Sequence, residues 1–484
     1  SSIYNIMKTL ATQVDEIYIA TDPDTEGEKI AYDVYCLLLP YNRNIYRIEF
    51  REVTRTAILE ALRNPRKVDL KKVEAQIARR VADRWIGFEV STQLQIKFDK
   101  PWLGAGRVQS PVLLWVSSRY KEYRDNLGYK LVADIGGYSV RFYVGKGAEA
   151  REKALRLANR VAEEGLELRY VEFIERDLPP PPPFTTDSLI QEANVVLGYS
   201  ASKTMALAQS LFELGLITYH RTDSTRISAL GISIAQEALR KLKLESLFIP
   251  RAWDSGRGEG AHEAIRPTSP VSSEELVELV MRGDMGFLTR IGDDHLKLYD
   301  LIFRRFIASQ MPSARIRYIK MVVCLGDLEA EVEIPVEVVV PGFTAVYPLK
   351  VYREVVNSVD VVSKKVRVVG VNVVRGSTVS LYRVADVIKL MKEKGIGRPS
   401  TYAKAIDNNA RHGYIIVSKR RKLLIATKLG LEVADIIRRR FLDLVGEDVT
   451  RELEVMLDSI EAGKISVQQV LDCLLYTSDA ADER

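Results

Sequence analysis

Between Tyr129 and Val144, and again between Arg315 and Val351, β-branched residues dominate and alternate with polar ones at period two, as in the run from Glu329 to Ile334. Two such pieces with helical sequence between them require a chain that leaves one β unit, builds something else and returns to finish it. The intervening segment supports this. A helical stretch and one further strand follow the first piece, and Pro179 to Pro183 then form a stiff extended connector that cannot be helix interior. Helices are expected from Thr186 to Gly215 and from Ile227 to Leu247, and the chain turns helical again from Leu381 to about Gly463. No repeat of solenoid length is present. A chain of 484 residues is expected to form roughly two to four domains.

Composition narrows the class. The chain is 46% hydrophobic and 28% charged, as folded proteins are. No apolar run reaches the roughly 18 residues that span a bilayer, and there is no basic-then-apolar leader, so a cytoplasmic location without a membrane partner is expected. Cys36, Cys324 and Cys473 lie far apart and support neither a disulfide framework nor a zinc site. The net charge of +5 says little. Its distribution says more, because basic residues gather at Arg79-Arg80, Arg304-Arg305, Lys419 to Lys422 and Arg438 to Arg440, where a polyanion could release several counterions. A solvated surface remains the alternative for each cluster. At the ends, Glu16 to Ala20 read as an interior strand of a sheet that begins upstream of Ser1, and 473–484 are expected to break the preceding helix as a non-native, adapter-derived tail.

Strand at 16–20, acidic loop, helix from Lys29 to Leu39 and strand from Arg47 to Phe50 give an α/β order. Thr54 to Trp115 is mainly helical, interrupted near Asp99 to Gly106. In the loop, Asp22, Asp24, Glu26 and Glu28 stand at alternate positions, so an extended backbone would point them to one side. A hard divalent cation relieves their repulsion, and Mg²⁺ with water and phosphate as further ligands suits such a set. Ligands also favour the carboxyl ends of strands in open α/β sheets. The alternative is a solvated turn with Glu26 and Glu28 at a helix N-terminus.

After Gly215 ends a helix, a short strand is expected to place Tyr219, Arg221 and Asp223 on one face and His220 on the other. A phenol has a pKa near about 10, so a tyrosine nucleophile needs a cation or base beside it. Arg221 can supply the cation and hold a phosphate. Taken alone, a tyrosine two residues from an arginine is as readily packing. Three glycine-marked segments also suit phosphate: 104–110 with Arg107 and Gln109, 395–401 with Arg398, Ser400 and Thr401, and 258–268 with His262. Each alone is also ordinary helix punctuation. No Gly-x-x-x-x-Gly-Lys-Ser/Thr occurs, so no ATP site is expected here.

In this combination and order, the segments resemble the type IA DNA topoisomerases from about Val14 to Gly463. The resemblance implies that Asp22, Asp24 and Glu26 are the Toprim acidic triad, which holds Mg²⁺. It implies that Tyr219 forms a 5′-phosphotyrosyl bond, that Arg221 stabilises the transferring phosphoryl, and that His262 supports the scissile phosphate. Arg79, Arg80, Asp83, Arg107, Gln109, Ser110, Thr222, Asp223, Arg398, Ser400 and Thr401 would line a groove for single-stranded or underwound DNA. The implied fold is a multidomain toroid, α/β plus mainly α with a β arch. Its parts are a partial Toprim domain at 1–57, a helical groove domain at 58–125 and 383–472, the arch at 126–178 and 313–382, and a helical domain carrying the tyrosine at 179–312.

Within the family, the runs Ala20 to Ala31, Asp83 to Glu89, Tyr219 to Arg226 and Leu298 to Phe306 are most similar to the reverse gyrases. That implies a monomer whose full-length chain carries a helicase-like half, through which alone ATP would act, and no zinc in this segment. Arg51 stands where those enzymes often have His. The family's catalytic Glu lies on a strand upstream of Ser1, so poor cleavage by the chain as given is expected. Two alternatives are a simple relaxing enzyme without an ATPase and a module that holds single-stranded DNA without cutting it.

Overall fold

The computed structural model describes residues 2–253, 263–282, 291–418 and 422–482. A helix, Ser2–Ala11, precedes a parallel pair of strands, Ile17–Ile19 and Ile45–Arg47, joined through the helix Thr25–Leu38. That helix starts earlier than the apolar periodicity suggests, because Asp24 caps it: Gly27 N–H donates to Asp24 Oδ1 at 2.7 Å. A Cβ on Gly27 would lie 2.1 Å from the carbonyl oxygen of Asp22, so only glycine lets the acidic loop fold back on the helix. The extended alternation therefore ends at Asp24, and the expectation of four carboxylates on one side fails. Glu28 instead points inward, 1% exposed, where Arg47 and Arg66 pair with it and the Asp69 N–H donates to it. The second strand also ends at Arg47 rather than Phe50, since the Arg47 side chain turns into the interior and donates to the carbonyls of Ile19 and Asp22.

The helices Leu70–Phe98 and Gln109–Asp125 share one apolar core with Val384–Glu393, Tyr402–Arg411, Lys428–Arg440 and Glu447–Glu461, from the far end of the sequence. A hairpin of Ile415–Val417 and Leu424–Ala426 interrupts the stretch expected to be helical, as its β-branched residues favour. The helix Val467–Asp482 runs through the expected break at 473. It contains neither Gly nor Pro, and Leu474 packs against the same core.

Both β pieces form hairpins. Leu127–Ile135 lies between Gly370–Ser377 and Tyr138–Gly145, and a five-stranded sheet orders Leu328–Val340, Ala314–Leu325, Leu166–Leu178, Lys365–Val366 and Val359–Asp360. The two sheets contribute to a common core. The second piece stops at Val340, short of Val351, because Pro341 cannot donate to a ladder and Gly342 turns the chain at φ +46°. Phe184, Leu211, Phe306 and their neighbours form the core beneath Tyr219. No described helix is long and apolar enough to cross a membrane.

Candidate active site

The backbone at Tyr219 is not the expected strand. Ile217 makes an isolated bridge to Pro267, and side chains clamp the rest: Thr218 Oγ1 donates to Ala264 O at 2.7 Å, and Thr186 Oγ1 donates to His220 O at 2.7 Å. Tyr219 N–H donates to Arg51 O at 2.8 Å. Gly215, at φ +70°, comes so close that a Cβ would sit 2.4 Å from Val53 O. The tyrosine segment is thereby pressed against the chain that follows the acidic loop.

Tyr219 Oη donates to Asp24 Oδ2 at 2.7 Å, and Arg221 Nη1 approaches the same oxygen at 3.3 Å. Tyr219 is 2% exposed, with its ring edge-on to Phe212 and His220 at centroid distances of 5.2 and 5.4 Å. Burial first and the Asp24 charge second push the phenol well above its ordinary pKa, with Arg221 opposing them. Burial, reinforced by Asp24, likewise raises Asp22. His220 is buried among the rings, which pushes its imidazole down to about 3.

Asp24 and Arg221 open onto a cleft of about 430 Å³ built from separate chain segments. Of the residues expected at the site, Asp24, Glu26, Arg79, Arg80, Asp83, Arg221, Thr222, Asp223, Arg398, Ser400 and Thr401 line it. Arg107, Gln109 and Ser110 do not. Arg107 is 2% exposed and pairs with Asp83 and Glu454, and Gln109 donates to Gly104 O and contacts His412 Nδ1. These three are buried rather than set along the cleft, because the glycine-marked turn that carries them is packed against the helix Glu447–Glu461, whose Thr450 donates to Arg107 O. His262 lies outside the described residues, as do 419–421. Two further basic clusters are engaged elsewhere. Arg305 lies over Phe184 and Tyr347, and Arg438 bonds Asp435, Leu114 O and Ser118.

Among the described residues no three His, Cys, Asp or Glu side chains stand close enough to hold a metal ion. Asp22 and Asp24 are close enough to repel each other, and Glu26 follows on the first turn of the helix and lines the same cleft as Asp24. An oxygen-only pair under mutual repulsion still suits Mg²⁺, which is commonly bound by one or two carboxylates together with phosphate and water.

Residues 67–472 match the family described as DNA topoisomerase, and residues 1–53 match the Toprim domain. The chain belongs to the type IA DNA topoisomerases. It is 44% identical to reverse gyrase 1 of Sulfurisphaera tokodaii over 98% of its own length and 39% of that relative. Its identity to the reverse gyrase of Pyrococcus furiosus is also 44%, over 96% of this chain and 37% of that one. Full-length topoisomerase I from Thermotoga maritima superposes with a TM-score of 0.73 at 30% identity, covering 99% of this chain and 80% of that one. The chain therefore spans well under half the length of these reverse gyrases.

This topoisomerase chain also has a buried carboxylate, bound to cleft arginines, that the motifs did not reveal. Glu454, 1% exposed, receives Arg79 at 3.1 and 2.9 Å and Arg107 at 2.7 Å, and stands 3.3 Å from Arg398. Burial works to raise its pKa, but Arg107, Arg79 and Arg398 prevail and hold it down at about 2. One signal was available: Thr450, Leu453, Leu457 and Ile460 mark the inward face of this helix, and Glu454 falls on it. A carboxylate on a core-facing stripe implies a buried cation.

Proposed function

We propose that the chain cuts and rejoins one DNA strand through a 5′-phosphotyrosyl bond on Tyr219, as the strand-passing module of a reverse gyrase-like enzyme. The observation that carries this reading is the contact of Tyr219 with Asp24 and Arg221 at the edge of a cleft lined by arginines from separate chain segments. In cleavage, the Tyr219 oxygen attacks phosphorus as its proton passes to water, with Asp24 accepting the hydrogen bond that orients the phenol. The bond to the 3′ oxygen breaks, and that oxygen takes up a proton from water. Religation is the reverse, with no net hydrolysis. Arg221 offsets charge on the phosphoryl group, and Arg79, Arg80 and Arg398 hold neighbouring phosphates. Glu28 is committed to Arg47 and Arg66 and does not serve as the acid.

Asp22 and Asp24 would hold Mg²⁺, which would supply positive charge near the reacting phosphate. Four separate apolar clusters support a division into Toprim, groove, arch and tyrosine-bearing parts, although the core around Tyr219 also takes in Ala314, Ile316, Phe343 and Val346, and the groove core takes in Ile190 and Ala201. ATP-dependent positive supercoiling would belong to the full-length enzyme, through a helicase-like half outside these residues. The test is to incubate labelled single-stranded oligonucleotide and Mg²⁺ with the protein, both as given and extended at its N-terminus, and to quench with denaturant. An adduct that maps to the Tyr219 peptide supports the reading. Stable binding with no adduct from either form would favour a module that only holds DNA.

A further inference from the structure

Arg398 sits between two carboxylates of one helix. Glu454 and Asp458, four residues apart on Glu447–Glu461, project from the same face one turn apart. The inner one, Glu454, is 1% exposed and is shared with Arg79 and Arg107. The outer one, Asp458, is 59% exposed and receives Arg398 Nη2 at 2.6 Å. Backbone contacts fix the same arginine: its N–H donates to Thr401 Oγ1 at 2.8 Å and its Nη1 to Gly397 O at 3.0 Å. Both Arg398 and Asp458 line the cleft. One guanidinium thus has a permanent inner partner and a solvated outer one.

We propose that Asp458 is a stand-in for a DNA phosphate, holding Arg398 in the cleft until an entering strand takes its place, while Glu454 stays bound throughout. This rests on reading the cleft as a path for single-stranded DNA. A carboxylate and a phosphate both accept the parallel N–H groups of a guanidinium, so one anion can replace the other without the arginine moving. The exchange is asymmetric. Asp458 is mostly in water and is re-solvated when it leaves, because an exposed ion pair is weak. Glu454 cannot leave without stranding buried charge. A strand entering the cleft therefore meets an Arg398 that is already oriented but partly neutralised. Binding is weaker and less salt-dependent than with a bare arginine, which favours release between cycles.

The experiment measures binding of a fluorescent oligothymidylate across a salt series to the wild-type chain, Asp458→Asn, Arg398→Gln and the double variant. Asn keeps the shape of an exposed side chain, so the fold is retained. Asp458→Asn should bind about twofold to fivefold more tightly, the range of an exposed ion pair. Its log-log salt slope should steepen by up to about 0.7, one phosphate contact with full counterion release. In the Arg398→Gln background the same substitution should change neither affinity nor slope. Unchanged or weaker binding by Asp458→Asn overturns the proposal. Equal tightening with and without Arg398 also overturns it, because that is general repulsion in the cleft. If the folded wild-type chain does not bind the oligonucleotide, the reading of the cleft fails and the proposal falls with it.

Discussion

Across 195 positions of sequence, the Tyr219 phenol donates a 2.7 Å hydrogen bond to Asp24, the residue that also caps the helix behind the acidic loop. One carboxylate thereby ties the Tyr219 ring to the start of that helix, and burial, reinforced by the Asp24 charge, pushes the phenol well above its ordinary pKa.

Tyr219→Phe removes one oxygen and no charge, and the ring keeps its packing on Phe212 and His220. The covalent adduct should disappear while single-strand affinity stays nearly unchanged. A denaturing gel of labelled oligonucleotide, run beside a binding titration, checks both. An adduct that persists in the Phe variant would mean another nucleophile.

Replacing Asp22 and Asp24 together by Ala should weaken Mg²⁺ binding and slow religation more than DNA association, since the arginines across the cleft still hold the strand. Calorimetric titration of Mg²⁺ into wild type and variant decides this. Equal affinities would remove the pair from the metal role.

Arg80 and Arg107 look alike in sequence but should behave differently. Arg80 is exposed on the cleft, so Arg80→Ala should make the salt dependence of binding shallower by about 0.7 in log-log slope with little change in stability. Arg107 is buried against Glu454, so Arg107→Ala should cost about 3–5 kcal/mol of stability, as breaking a buried pair does. Urea denaturation and salt-series titrations of the two variants distinguish these outcomes.

His220 makes stability fall on acidification. In the unfolded chain its imidazole protonates near its ordinary 6.5, whereas in the folded protein it resists protonation until about 3. The unfolded state therefore binds the extra proton between those values, and stability is lost as pH drops from 6.5 toward 3. Above 6.5 the group contributes no pH dependence. His220→Phe should flatten this part of the profile, by an amount on the order of a few kcal/mol. Urea midpoints measured on both sides of the ordinary imidazole pKa show whether the wild-type slope survives in the variant.

Periodicity and punctuation made much of this protein legible without coordinates. The alternation at 129–144 and 315–351 marked the two β hairpins, Pro179 to Pro183 marked the connector, and the order of the acidic run and the Tyr219 segment pointed to the family. These are local properties, written in neighbouring residues. Asp24 rather than Lys29 starts the helix, Glu28 turns inward to Arg47 and Arg66, Arg107 sinks beneath the cleft that Arg80 lines, and Glu454 gathers arginines from three distant segments. Each of these outcomes depends on which charges meet after the chain has folded. A charged side chain strongly prefers water and goes inside only where a partner meets it there, and the partners here lie up to 375 residues away.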